Sequence, residues 1–309
     1  MNIIGVDIGG TKCALSVPVG GDRVREVVRF PTTNVQATLE RIYAEIARLA
    51  PAPDPVFGVS CGGPLDSKRG LVLSPPNLPG WDRIPICAEL TKRFGGRAFL
   101  MNDANACALA EWQFGAGRGC QSMMFLTMGT GMGAGLILDG RLYEGITGNA
   151  GEVGHVRLAA DGPVGYGKAG SFEGFCSGGG IAQIARRRVA EFAGMSSLKD
   201  LPADQLTART VGEAAAAGDA LALALWREVG ERLGEALAVF IDVLNPERIV
   251  IGSIYQRCER FIAPAMQAVI AREALPESAR DCRVVPAVLG DEIGGHAAVA
   301  IARYHAGSH

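Results

Sequence analysis

Short apolar runs alternate along this chain with stretches in which apolar residues recur every three or four positions. The first pattern predicts buried strands and the second amphipathic helices. Residues 3–8, 12–19 and 24–30 predict three successive strands, with turns at Gly9-Gly10 and at Gly20-Gly21-Asp22. Residues 35–49 place Leu39, Ile42, Ile46 and Leu49 on one helical face, and Pro51, Pro53 and Pro55 end that helix. A strand at 56–61, a long loop at 62–82, a helix at 85–94, a strand at 98–101 and a helix at 103–113 complete an α/β set.

A second set follows. Strands at 122–127 and 132–138 flank MGTGM, and Asp139-Gly140 signals a further hairpin. Helices are expected at 178–193, 207–217 and 219–244. The last is too rich in Ala and Leu to face water all round, and Asn245-Pro246 stops it. A strand at 248–251, a helix at 256–275, a strand at 282–285 and a helix at 292–305 close the chain. The halves share one rhythm of strand, glycine turn, strand, strand and helices. This predicts two related lobes across a cleft: residues 1–115, residues 116–291, and the helix at 292–305 packing back on the first lobe.

Composition narrows the function classes. The 309 residues are 48% apolar, ample for a large core, and the formal charge is -2, which favours neither nucleic acid nor acidic membrane surfaces. Arg186-Arg187-Arg188 reads as a solvated helix face. The opening MNIIGVDIGG is a strand rather than a secretory signal, and no apolar run reaches membrane-spanning length. Eight scattered cysteines without a CxxC pair suit buried free thiols in a cytoplasmic protein. Glycine is the outlier, at 42 residues in clusters. Such clusters mark tight turns or backbone that closely approaches a ligand.

Two of the clusters suit phosphate. In GVDIGGTK, Asp7 ends a strand and the amides of Gly9, Gly10 and Thr11 follow, with Lys12 adding charge. Asp7 repels a bare phosphate, so its place is beside a hydrated Mg ion. A plain glycine hairpin is the alternative. FLTMGTGMGAGLI holds four glycines in nine residues, with Gly129, Thr130 and Gly131 at its centre, more than a hairpin needs. Two such turns suggest a nucleotide phosphate tail clamped between lobes. Gly252, in VIGS, is a weaker candidate for the floor of an adenosine site.

LMNDANACALAEW puts Asn102 and Asp103 after a strand and at a helix start. Both are good N-caps. At a strand tip facing a cleft, Asp103 can also take the proton of a hydroxyl that attacks phosphorus, because phosphoryl transfer needs one orienting carboxylate.

DIGGTK, NDAN, TMGTGMGAG and GEVGH, in that order from residue 3 to about 300, together resemble the ROK family (repressor, open reading frame, kinase). The resemblance implies the two-lobed actin-like ATPase (ribonuclease H-like) α/β fold with a cleft between lobes. It implies a cytoplasmic, homodimeric sugar kinase that uses ATP and Mg and transfers phosphoryl to a hexose or N-acetylhexosamine, glucokinase-like, at the 6-hydroxyl. Asp103 then resembles the catalytic base. Asn77, Asn102, Glu152, His155 and Glu173 resemble the sugar ligands. Asp7, Gly9, Gly10 and Thr11, with Lys12 beside them, and Gly129, Thr130 and Gly131 match the phosphate motifs, and Gly252 matches the adenosine motif. Ser253 stands where the family usually has a second glycine.

Many members bind a structural zinc through the histidine of GEVGH and three cysteines beyond it. Here those positions are Val164, Tyr166 and Ser171. Zinc at such a site wants four soft or imidazole ligands, so His155 alone cannot hold it, and no zinc is expected. The loop is then expected to be held by Tyr166 and Phe172 packing on apolar neighbours. The alternative activity is a sugar-binding regulator or an inactive relative. Family regulators carry a DNA-binding domain ahead of the kinase-like part, and here the first strand begins at residue 3.

Overall fold

The computed structural model describes residues 2–307. The first lobe is built on β1 (Ile3–Ile8), β2 (Lys12–Pro18), β3 (Val24–Pro31), α1 (Val35–Arg48) and β4 (Val56–Cys61). A two-residue hairpin follows, β5 (Leu65–Asp66) and β6 (Leu71–Val72), then α2 (Ile86–Phe94), β7 (Arg97–Asn102) and α3 (Asp103–Phe114). The second lobe has β8 (Met123–Met128), β9 (Met132–Leu138), β10 (Arg141–Tyr143), a hairpin of β11 (Val164–Gly165) and β12 (Lys168–Ala169), α4 (Phe172–Cys176), α5 (Gly178–Glu191), α6 (Ala208–Ala216), α7 (Ala220–Leu244), β13 (Arg248–Ile251), α8 (Ile254–Glu273), α9 (Pro276–Asp281) and β14 (Arg283–Pro286); the last helix, α10 (Ile293–Ala306), packs back on the first sheet.

The two main sheets repeat one topology. Their orders are β3-β2-β1-β4-β7 and β10-β9-β8-β13-β14, each an antiparallel meander extended by two parallel strands. The β9–β10 turn has φ of 50° at Asp139 and 69° at Gly140, the twist that a tight hairpin needs. The long segment 62–82, expected to be loop throughout, contains the β5–β6 hairpin. Two residues per strand are too few to show a period.

Two helices of small residues join the lobes. α10 lies on β1 and β4, where a Cβ on Gly58 would meet the Ala298 carbonyl and one on Gly5 would stand 2.9 Å from the Ala298 Cβ. α3 lies on β8 and β9 in the other sheet, and a Cβ on Gly135 would stand 2.5 Å from that of Ala108. α3 and α10 also pack on each other. Fully buried Glu111, in the last turn of α3, ties together the two chain segments that run between the sheets. Its carboxylate accepts the Ala116 N–H at 2.7 Å and those of Val288 and Leu289 at 3.0 Å each.

Candidate active site

Asp103 stands where β7 passes into α3, and Asp7 near the end of β1, two strands away in the same sheet. The Asn102 carbonyl oxygen of the side chain caps α3 by accepting the Asn105 N–H at 2.8 Å. Asp103 Oδ1 accepts the Ala104 N–H at 2.9 Å. The Asp103 side chain opens to solvent through the cleft but is walled by protein, and this desolvation raises its pKa. Asp7 is pushed up from 3.8 to about 6, first by desolvation and then by the charge of Asp103; Lys12 and a hydrogen bond with Ser60 oppose the shift. Asp7 also meets the start of α10, since a Cβ on Gly294 would stand 2.5 Å from its Oδ2. Two desolvated carboxylates that repel each other form an arrangement a divalent cation relieves. Among the described residues, no cluster of three or more His, Cys, Asp or Glu is placed to hold a metal by itself.

The first glycine turn differs from the expectation in one atom. The Gly9 N–H bonds the Lys12 carbonyl at 3.0 Å and closes the hairpin, so this amide is engaged inside the turn rather than toward a phosphate. Gly10 is pressed beneath the Asn77 loop: a Cβ there would lie 2.4 Å from the Asn77 carbonyl oxygen. Exposed Thr11 and Lys12 form the open end of the turn.

The second turn also differs from the expectation: not all four glycines belong to it. Gly133 and Gly135 belong to β9 and lie beneath α3; packing of the helix requires Gly135, while a Cβ on Gly133 would make an ordinary contact with Ala104 at 3.5 Å. The turn itself has two glycines, with Gly129 N–H bonded to the Gly131 carbonyl at 3.1 Å. Against it sits the start of α5, the helix expected at 178–193, whose place beside this turn sequence reading missed. Ser177 caps that helix through Gly180, and Gly178 N–H bonds the Gly129 carbonyl at 2.8 Å. A serine followed by three glycines was the available signal. Ser253 approaches the same turn, 3.9 Å from where a Gly129 Cβ would stand. Gly252 extends β13 toward β8, its N–H on the Leu126 carbonyl at 3.0 Å, and packs near the Phe125 ring.

Glu152 and His155 stand at the ends of one short 3-10 turn, with the His155 N–H on the Glu152 carbonyl at 3.3 Å. The spacing of three therefore stacks them on one side. This turn lies directly on β9 because Gly151, at φ 92°, and Gly154 have no Cβ to strike the Ala134 and Met132 carbonyls. Glu173 comes to the same place from α4. Its Oε2 accepts the Met132 N–H at 2.9 Å, immediately after the second glycine turn.

Tyr166 does not anchor the loop as expected. It is 72% exposed and touches only the edge of the His155 ring, with centroids 4.7 Å apart, whereas Phe172 is fully buried in the second lobe's core. Hydrogen bonds carry the rest. Lys168 Nζ donates to the His155 carbonyl at 2.7 Å, and Arg157 donates to the Ala169 carbonyl at 2.7 Å. Gln183 pairs with both backbone groups of Val164 at 3.0 and 2.8 Å. Buried Ser171, at one of the missing cysteine positions, caps α4 through the Gly174 N–H at 3.0 Å.

A cavity of about 370 Å³ opens between the lobes. Leu65, Ser67, Lys68 and Leu73 of the first lobe line it, with Asn102 at the end of β7, Asn105 of α3, and Glu144, Ile146 and Thr147 of the second lobe. Its mouth is bridged where Lys68 Nζ donates to the Ile146 carbonyl at 3.3 Å. Of the expected sugar ligands, Asn102 lines this cavity; Asn77 sits against Gly10 and Gly62, and Glu173 sits against the second turn. All eight cysteines are unpaired and six are buried; burial pushes the Cys61 and Cys87 thiols up to about 12.

The chain is 31% identical over 301 residues to a glucokinase of Thermotoga maritima, covering 95% of each chain. Its fold superposes on a ROK hexokinase from Thermus thermophilus with a TM-score of 0.83, at 28% identity and 99% coverage of each chain. A ROK family glucokinase from Streptomyces griseus, solved with glucose and AMPPNP, gives a TM-score of 0.76 at 29% identity, over 97% of this chain and 99% of that one. Residues 3–304 match the ROK family as a whole, and the chain belongs to that family.

Proposed function

We propose that the protein transfers the γ-phosphoryl group of ATP to a hexose or N-acetylhexosamine, at the 6-hydroxyl, with glucose the first candidate. The observation that carries this reading is Asp103: a desolvated carboxylate at a strand tip in the cleft, beside the Asn102 cavity and within the field of Asp7. Its raised pKa makes it a stronger base toward a hydroxyl than an ordinary carboxylate. Asp103 takes the hydroxyl proton as the sugar oxygen bonds to phosphorus and the bond to the leaving ADP oxygen breaks. Asn77, Asn102, Glu152, His155 and Glu173 hold the sugar.

Gly10, Thr11 and Lys12 face the phosphates from one side, and Gly129, Thr130, Gly131 and the start of α5 from the other. Gly252 and Ser253 border the adenosine. Asp7 would orient hydrated Mg, which neutralises phosphate charge when bound. The relatives named as glucokinases and the complex with glucose and AMPPNP support both the reaction and the order of candidate sugars.

A coupled ADP assay over a panel of hexoses and N-acetylhexosamines tests this reading. Sugar-dependent ADP formation, greatest with glucose, is expected. ADP formation that no sugar stimulates, or none at all, contradicts it.

A further inference from the structure

Asn105 is 1% exposed, and its side-chain Oδ1 has no hydrogen-bond partner among the described residues. A buried amide oxygen left so is costly, and native sites place such a group where a ligand or water completes it. The same residue lines the 370 Å³ cavity beside Asn102. The two asparagines are not equivalent. The Asn102 Oδ1 is committed to capping α3, so Asn102 has its amide N–H groups to offer a ligand. Asn105 has the acceptor.

The backbone holds that acceptor in place. α3 presses so closely on β9 that a Cβ on Gly135 would lie 2.9 Å from the Asn105 Cα. The side chain thus stands on a fixed helix turn, as a preorganised contact requires.

We infer that Asn105 is a further sugar-binding residue, whose Oδ1 accepts a hydrogen bond from one hydroxyl or amide N–H of the sugar in the cavity lined by Asn102. The ligand's identity rests on the kinase reading; the orphan acceptor does not. A site that hydrogen-bonds one substrate hydroxyl discriminates against the analogue without it. Asn105 therefore helps choose the sugar, while Asp103 performs the chemistry.

The test uses Asn105→Leu, close in volume but without the acceptor, and Asn105→Ala in case the longer apolar side chain hinders folding. Each is assayed with the best sugar and with its monodeoxy analogues. The expected result is a sugar KM raised about tenfold or more, the loss of one hydrogen bond in a buried site, with kcat and the KM for ATP within about threefold. For one deoxy analogue, wild type and variant should have the same KM. An unchanged KM for the best sugar, or one raised equally for every analogue, overturns the inference. If the wild type transfers no phosphoryl group, the kinase reading fails separately. Calorimetric titration of the sugars without ATP then decides: equal sugar affinity in wild type and variant, or no binding to either, overturns the role of Asn105.

Discussion

Glu173 Oε2 accepts the Met132 N–H at 2.9 Å, joining the loop that carries Glu152 and His155 to the second glycine turn. On the proposed reading, one carboxylate couples the sugar side of the cleft to the phosphate side. Glu173→Ala should impair both substrates, lowering kcat/KM by about 10²-fold and raising the KM for ATP as well as for sugar. Glu173→Gln keeps an acceptor and should lie between. Steady-state kinetics in both substrates read this; a rise confined to the sugar KM would limit Glu173 to sugar contact.

Lys168 ties the loop together by holding the His155 carbonyl. Lys168→Met should raise the sugar KM about three- to tenfold, in proportion to one charge-assisted hydrogen bond, and leave the KM for ATP unchanged. Hydrogen exchange of residues 152–170 should accelerate in the same variant. Unaltered exchange would show that Gln183 and Arg157 suffice.

Asp7 gives the free protein a pH signature. Its folded-state pKa of about 6 exceeds its ordinary 3.8, so between those values the folded protein keeps a proton that the unfolded chain has lost. The stability from that proton is complete below about pH 4 and is lost as pH rises through 6. At neutral pH the charged form costs roughly 3 kcal/mol. Without nucleotide, Asp7→Asn should be more stable than wild type above pH 6, with the difference vanishing near pH 4, and should be a poor kinase. Denaturant unfolding across pH 4–8 measures this. A stability difference independent of pH would contradict the assignment.

Ser253 adopts φ 58° and ψ -110°, a conformation that favours glycine. Its N–H bonds Gln256 Oε1 at 3.0 Å, a backbone interaction that a substitution preserves. Ser253→Gly should therefore raise stability by about 1 kcal/mol through relief of strain. Thermal unfolding reads the change; destabilisation would mean that the capping bond from the Gln256 N–H to the Ser253 hydroxyl outweighs the strain.

Most of the fold was legible because its strands are apolar runs and its helices are periodic. The expected strands and long helices appear within two residues of their expected ends. The two-residue hairpins were not legible, since neither has length enough for a period. Glycine was legible as a signal but not in its meaning. Gly9, Gly129 and Gly131 form turns, while Gly5, Gly58 and Gly135 make room for α10 and α3. Sequence spacing cannot separate these, because the helix that needs the space lies far along the chain. The same holds for Glu111, a helical glutamate in sequence and a three-way backbone anchor in space. NDAN and GEVGH were legible as motifs; the split of capping and acceptor roles between Asn102 and Asn105 required coordinates.

The central claim is that Asp103 takes the proton from a sugar hydroxyl. The most direct measurement is the turnover of Asp103→Asn in the sugar-dependent ADP assay, beside sugar affinity from calorimetry. The side chain keeps its shape and an oxygen for the Ala104 N–H, so binding should stay within about threefold while kcat falls by about 10²–10⁴, the range of general-base catalysis. A variant with near-normal kcat would contradict the account.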